Sequence, residues 1–293
     1  MEGPRALVLA RARTFLDIIK VEHTVFALPF AYLGMVLAAD GLPPARAALW
    51  ITVAMVAART LAMAVNRVVD RALDARNPRT MHRALARGLM PPRAVVALAC
   101  GALVVFELAA WQLNAFVFAL SPLALLFLLG YHYTKRFTWL SHWILGFTDG
   151  IAPAGAWAAV RGSLDAPALL LWFAVTVWIA GFDLLYACQD VEVDRREGLY
   201  SVPAVFGVAA ALRCARINHA LTVCALAALG ALLHLGWPYW IGVTLAAILL
   251  GYENALVKPH DLSRLTFAFF NVNGYISLIV FFATLLALFL RRA

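Results

Sequence analysis

The stretch Ala57-Ala-Arg-Thr-Leu-Ala-Met-Ala-Val-Asn-Arg-Val-Val-Asp-Arg-Ala-Leu-Asp74 decides how the rest of the chain is read. Its first part is apolar enough to enter a membrane, and its end sets Asn66, Asp70 and Asp74 four residues apart. On a helix that spacing stacks the three along one face. Arg59, seven residues before Asn66, joins the same stripe two turns deeper. An amide and two acids facing one way at the end of a membrane helix are costly unless something cationic sits there. A second stripe follows in Phe182-Asp-Leu-Leu-Tyr-Ala-Cys-Gln-Asp-Val-Glu-Val-Asp194, where Asp183, Asp190 and Asp194 are spaced by seven and four. The two stripes read as halves of one metal–phosphate site.

The composition sets the solvent. Of 293 residues, 64% are hydrophobic and 14% charged, with a mean hydropathy of +0.83. Soluble domains are about half apolar and about a quarter charged, so the chain reads as an all-α, polytopic membrane protein. Met1 to Arg13 is basic and polar, which is not the pattern of a cleaved signal peptide. Cys100, Cys188, Cys214 and Cys224 show no C-x-x-C spacing, so neither a disulfide framework nor a zinc site is expected. The histidines (His23, His82, His132, His142, His219, His234 and His260) are scattered without ligand spacing. The net charge of +8 is explained by cytoplasmic loops rather than by nucleic acid, which is not an expected partner.

A spanning helix needs about 20 apolar residues. That ruler gives about nine spans: Phe15–Ala38, Arg46–Val69, Ala94–Leu113, Ala115–Leu129, Ser141–Val160, Pro167–Tyr186, His219–Leu235, Tyr239–Tyr252 and Leu265–Leu290. With the N-terminus inside, nearly all Lys and Arg residues fall in inside segments, leaving Arg46 and Arg161 in outside loops. The C-terminal pair Arg291–Arg292 is a mild violation of the positive-inside rule. Both acidic stripes lead into long, charged inside loops, a similar context that hints at an internal repeat. No low-complexity tract or interdomain linker interrupts residues 1–293, so one membrane domain is expected.

Acids spaced in this way suit a hard divalent ion. Mg²⁺ keeps several waters and takes one or two carboxylates plus substrate phosphate oxygens. Asn66 adds a neutral oxygen, and without a cation the acids would repel one another. Arg71, Lys135 and Arg136 are the candidate cations beside a leaving diphosphate. In a membrane, a diphosphate carrying an isoprenoid tail has one end for Mg²⁺ and one for lipid. Ionisation of its allylic bond leaves a carbocation that needs a dry pocket and aromatic faces. Phe26, Phe30, Tyr131, Tyr133, Phe147, Trp157 and Tyr186 are available to supply them. Asp149, inside the fifth span, is either functional or the neutraliser of a neighbour; Arg59 needs an anion, from an acidic side chain or a substrate carboxylate. Asp183 is either a direct ligand or a supporting partner, and Glu22, His23 and Thr24 could read an acceptor.

These motifs carry a resemblance. Asn66-x-x-x-Asp70-x-x-x-Asp74 followed by Asn77-Pro-Arg-Thr80 resembles the first aspartate-rich motif of the UbiA superfamily of intramembrane aromatic prenyltransferases. Tyr186-Ala-Cys-Gln-Asp190-Val-Glu-Val-Asp194-Arg-Arg-Glu-Gly198, with Ser201 and Phe206-Gly207, resembles the second. Tyr131-x-Tyr133-Thr-Lys135-Arg136-Phe-Thr and Phe269-Phe-Asn271-Val-Asn273 are also similar, and the likeness runs from Ile18 to Leu290. It implies nine transmembrane helices around a central cavity, capped by the two motif loops and open sideways to lipid. It also implies Mg²⁺-dependent prenyl transfer from a polyprenyl diphosphate to an aromatic acid acceptor. Carried over by residue, Asn66, Asp70, Asp74, Asp190 and Asp194 would hold the Mg²⁺–diphosphate, and Lys135 and Arg136 would match the family's basic pair. Arg71, Arg59, Asp183 and Tyr131 are further substrate-binding candidates. One departure is His82-Arg-Ala-Leu85-Ala, where many relatives have Arg-Pro-Leu-Pro.

The function expected is polyprenylation of 4-hydroxybenzoate in quinone biosynthesis, in a bacterial-type inner membrane with both acidic loops cytoplasmic. A dihydroxynaphthoate-type acceptor, leading to menaquinone, is the close alternative. A transporter or lipid-binding protein, with Asp149 as its ion site, is the alternative from another class.

Overall fold

The structure is a computed structural model that describes residues 21–259, 261, 262, 264, 265 and 271–292, with side chains from residue 28 onward. Its helices are α1 (Val21–Ala38), α2 (Ala45–Val69), α3 (Arg71–Arg76), α4 (Pro92–Leu113), α5 (Ala115–Thr134), α6 (Ser141–Arg161), α7 (Ala166–Ala187), α8 (Val191–Arg196), α9 (Val202–Phe206), α10 (Val208–Leu232), α11 (Trp237–Leu256) and α12 (Asn273–Arg292). Among the described residues the only β pairing is an isolated bridge between Lys258 and Asp261.

The chain is an integral membrane protein. Seven of these helices, α2, α4, α5, α7, α10, α11 and α12, are long and apolar enough to cross a bilayer. The expectation of nine spans rests for the other two on shape rather than hydropathy. α1 offers the shorter apolar run Leu28–Ala38. α6 is 21 residues long but carries Asp149 and Arg161. Both are built into the same ring. In chain order each long helix packs on the next, from α1 to α2, α4, α5, α6, α7, α10, α11 and α12, and α12 returns to α1. α1 also lies against α6 across the interior.

In lipid, packing rather than water exclusion holds helices together, so small residues at crossings matter. A Cβ on Gly34 would lie 2.2 Å from the Pro153 carbonyl oxygen, and one on Gly146 2.2 Å from that of Thr176. These two glycines let α1 and α7 come against α6. Caps close the turns: Asn114, alone between α4 and α5, accepts from Val117 N at 2.8 Å and donates to the Ala158 and Ala159 carbonyls. Arg291 pairs with Asp40 at 3.6 Å, so α12 ends at the short α1–α2 turn.

Helix ends and hydropathy ends differ where helices carry polar turns. α10 begins at Val208 rather than His219, because its first turns contain Arg213, Arg216 and Asn218. α5 likewise runs past Leu129 to Thr134. The ruler measures where lipid ends, whereas the backbone keeps its hydrogen bonds into the interface.

Candidate active site

Each acidic stripe sits at a broken helix end. α2 stops at Val69, and Asp70 (φ −95°, ψ 7°) is the joint to the six-residue α3. α7 stops at Ala187, passes through a 3-10 turn over Cys188–Asp190, and resumes as α8 after Asp190 (φ −102°, ψ 5°). The sequence reading assumed unbroken helices. The acids stay aligned because the four-residue ladder survives the first joint: Asp70 N donates to Asn66 O at 2.9 Å and Asp74 N to Asp70 O at 2.7 Å.

The two stripes meet. Asn66, Asp70, Asp74, Tyr131, Lys135, Asp183, Asp190 and Asp194 all line one pocket of about 240 Å³. Asn77, from the first motif loop, donates to Asp190 Oδ1 at 2.9 Å. Arg79 forks onto Asp190 through Nε (3.0 Å) and Nη2 (2.6 Å), while its Nη1 donates to Tyr186 Oη at 2.9 Å. Arg83 Nη1 donates to both oxygens of Asp74, at 2.8 and 2.9 Å. Asn66 Nδ2 donates to Asp70 Oδ2 at 2.9 Å, and Ser201 donates to Asp194 Oδ2 at 2.7 Å. The loops are tied outside the pocket as well, by Arg76 and Glu197 at 3.0 Å.

Two basic residues need correction. Arg71 is exposed and outside the pocket, because one step along the helix from Asp70 turns its side chain about 100° away. Arg136 is partly exposed and spends its Nη2 on the Val69 carbonyl (2.8 Å) and Asp70 Oδ1 (3.3 Å), so it braces the helix joint from outside the pocket. The sequence reading missed Arg79 and Arg83 as the cations that face the acids. Arg79 lies in the quoted motif flank Asn77-Pro-Arg-Thr80, but loop residues have no periodicity that would aim them. Arg83 belongs to the loop that lacks the family's prolines; that loop still closes, with Leu85 only 1% exposed.

Above this polar pocket is an apolar chamber of about 490 Å³. Asn66, Tyr131, Leu145, Asp183 and Tyr186 line both spaces, so one leads into the other. Of the expected aromatics, Phe30, Tyr131, Phe147 and Tyr186 face the chamber, joined by Phe106, Phe127, Trp172, Trp178 and Phe182. Tyr133 is instead exposed, and Trp157 is buried in the helix core. The side chains of Glu22, His23, Thr24 and Phe26, and the whole of Phe269, lie outside what the structure describes. Arg59 and Asp149 line the chamber and pair with each other at 3.6 Å, so Asp149 neutralises its neighbour.

The electrostatics of the polar pocket are those of caged charge. Burial raises the Asp70 pKa above its usual value, although Lys135 and Arg136 pull the other way. Among the described residues no three Asp, Glu, His or Cys side chains converge closely enough to hold a metal by themselves. The expected ligands Asn66, Asp70, Asp74, Asp190 and Asp194 are therefore not a preformed cage; their oxygens are spread around the pocket wall. Such an all-oxygen set fits Mg²⁺, which needs few protein ligands and takes the rest from water and phosphate.

A model of the UbiA prenyltransferase family matches residues 27–290. The chain belongs to the UbiA prenyltransferase family. It is a prenyltransferase, and UbiA relatives of known name are similar along nearly its whole length. It is 35% identical to the 4-hydroxybenzoate octaprenyltransferase of Ralstonia nicotianae over 88% of both chains. It is 31% identical to that of Cupriavidus necator, over 97% of this chain and all of that protein. The apo structure of a UbiA homolog from Aeropyrum pernix superposes with a TM-score of 0.83 at 32% identity, over 90% of this chain and 98% of that one. A UbiA homolog from Archaeoglobus fulgidus, solved with DMAPP and Mg²⁺, shares the fold at a TM-score of 0.72 and 17% identity, over 93% and 99% of the two chains.

Proposed function

We propose that this chain transfers a polyprenyl group from a polyprenyl diphosphate to 4-hydroxybenzoate, with Mg²⁺, in quinone biosynthesis. The observation that carries this reading is the junction of the two spaces: an acid-lined pocket for a diphosphate head opens into an aromatic chamber that holds an arginine. The acceptor named for the relatives, a carboxylated phenol, suits that arginine. The protein works as a single domain over residues 1–293, with its N-terminus and both motif loops on the cytoplasmic side of a bacterial inner membrane.

Asn66, Asp70, Asp74, Asp190 and Asp194 would hold Mg²⁺, which when bound neutralises the diphosphate and favours its departure. Arg79 and Arg83 pair with Asp190 and Asp74 and hold these carboxylates at the pocket wall. Lys135 sits in the pocket as a point charge for the negative charge that grows on the leaving group. Tyr131 and Tyr186 stand at the neck between the spaces, where an allylic carbon would meet the acceptor ring. Their faces favour positive charge there, and the apolar walls keep water away from it. Arg59 orients the acceptor by its carboxylate, with Asp149 holding the guanidinium in place. The prenyl tail runs along the chamber towards lipid.

The test is an acceptor comparison on purified protein with radiolabelled geranyl diphosphate and Mg²⁺. 4-Hydroxybenzoate should be prenylated, phenol poorly, and Arg59→Leu should lose the preference between them. Faster prenylation of a dihydroxynaphthoate than of 4-hydroxybenzoate would replace the acceptor; no product from either would overturn the enzyme reading.

A further inference from the structure

His142 is the one buried histidine in the diphosphate pocket whose two ring nitrogens both make described contacts to residues of the site. It opens α6 and is 3% exposed. Its Nδ1 lies 2.7 Å from Asp183 Oδ2. Its Nε2 accepts from the backbone N–H of Val202 at 3.2 Å. An Nε2 that accepts cannot carry the hydrogen of a neutral ring, so the proton is on Nδ1 and is donated to Asp183. The Val202 N–H is a first-turn donor of α9 with no helical partner, and the imidazole satisfies it.

Those two contacts reach both halves of the site. Asp183 lines the aromatic chamber as well as the polar pocket. Val202 follows Ser201, whose hydroxyl donates to Asp194 Oδ2. The same segment is held from the other side, where Tyr200 N donates to the Lys135 carbonyl at 2.6 Å. One imidazole therefore stands between a carboxylate at the neck of the chamber and the loop that seats a carboxylate of the second motif.

We propose that His142 is a positioning residue for prenyl transfer, fixing Asp183 through its Nδ1–H and the Tyr200–Val202 segment through Nε2. This rests on the prenyltransferase reading above and adds to it a physical link between the acceptor side and the diphosphate side. The two contacts separate by substitution, because an Asn amide overlies Nδ1 and a Gln amide overlies Nε2. His142→Asn keeps a donor for Asp183 and releases Val202. His142→Gln keeps an acceptor for Val202 and releases Asp183. His142→Ala loses both.

The experiment measures two things on the full-length protein in lipid nanodiscs: equilibrium binding of Mg²⁺–geranyl diphosphate without acceptor, and KM for 4-hydroxybenzoate. Thermal midpoints show which variants remain folded. His142→Asn should weaken diphosphate binding about tenfold and leave the acceptor KM within about twofold; His142→Gln should do the reverse. Should His142→Ala fail to fold, the Asn and Gln variants decide the matter alone. Equal effects of Asn and Gln on both readouts, or no effect on either, would overturn the proposal. If wild type turns over no 4-hydroxybenzoate, the acceptor reading has failed. The diphosphate arm then still decides: tenfold weaker binding in Asn but not Gln supports the link, and unchanged binding in both removes it.

Discussion

At the residue scale, the decisive feature is how few of the site's charges are free. Asp74 and Asp190 are each held by a guanidinium, and Asp70 is braced by Asn66 and Arg136. Asp70 is buried enough that its pKa lies above the usual 3.8. It must be ionised to bind a cation, so its hold on Mg²⁺ is lost sooner as the pH falls. Mg²⁺ affinity measured against pH without diphosphate should have its acidic limb above that value. Asp70 also has a stability sign. The folded chain binds this proton more tightly than the unfolded one, so the metal-free protein gains stability from Asp70 as the pH drops through the same window. Asp70→Asn should remove that gain in thermal melts. A limb at or below the ordinary carboxylate value, or identical melts for both proteins, would contradict the burial argument.

At the element scale, the site depends on two helix joints and two glycine crossings. Asp70 and Asp190 adopt nearly the same backbone angles where α2 and α7 give way to short helices. The similar acidic contexts noted in the sequence thus have a shared geometry. α6 is the element on which both halves lean, and Gly146 allows α7 to approach it. Gly146→Ala would press a methyl group into the Thr176 carbonyl and should cost about 1–3 kcal/mol of stability. A thermal midpoint in the same lipid checks this, and an unchanged midpoint would show that the helices have room to part. Spans were legible in the sequence because lipid demands long apolar runs, and the acids because a four-residue spacing survives folding. Arg79, Arg83 and Asn77 were not, since a loop aims its side chains by closure rather than by period. Arg71 was misplaced for the opposite reason: nearness in sequence to Asp70 is not nearness on the helix surface.

At the scale of the whole molecule, a closed ring of long helices in chain order brings the ends of α2 and α7 together, though they are far apart in sequence. Helices α1, α2 and α4 to α7 of that ring line an aromatic space continuous with the polar one. Reaction and solvent exclusion follow from that continuity, and the family fold was legible from two motifs in order. What the sequence could not give was the state of the acids, which are divided among arginines rather than gathered as a cage. If both motifs serve one diphosphate, their contributions cannot be independent. A double-mutant cycle tests this by titrating Mg²⁺–geranyl diphosphate into wild type, Asp70→Ala, Asp190→Ala and the double variant. Each single loss should remove most of the binding energy, and the double variant should bind hardly worse than either. Strictly additive losses, or undiminished binding in either single variant, would mean that Asp70 and Asp190 do not grip the same ligand.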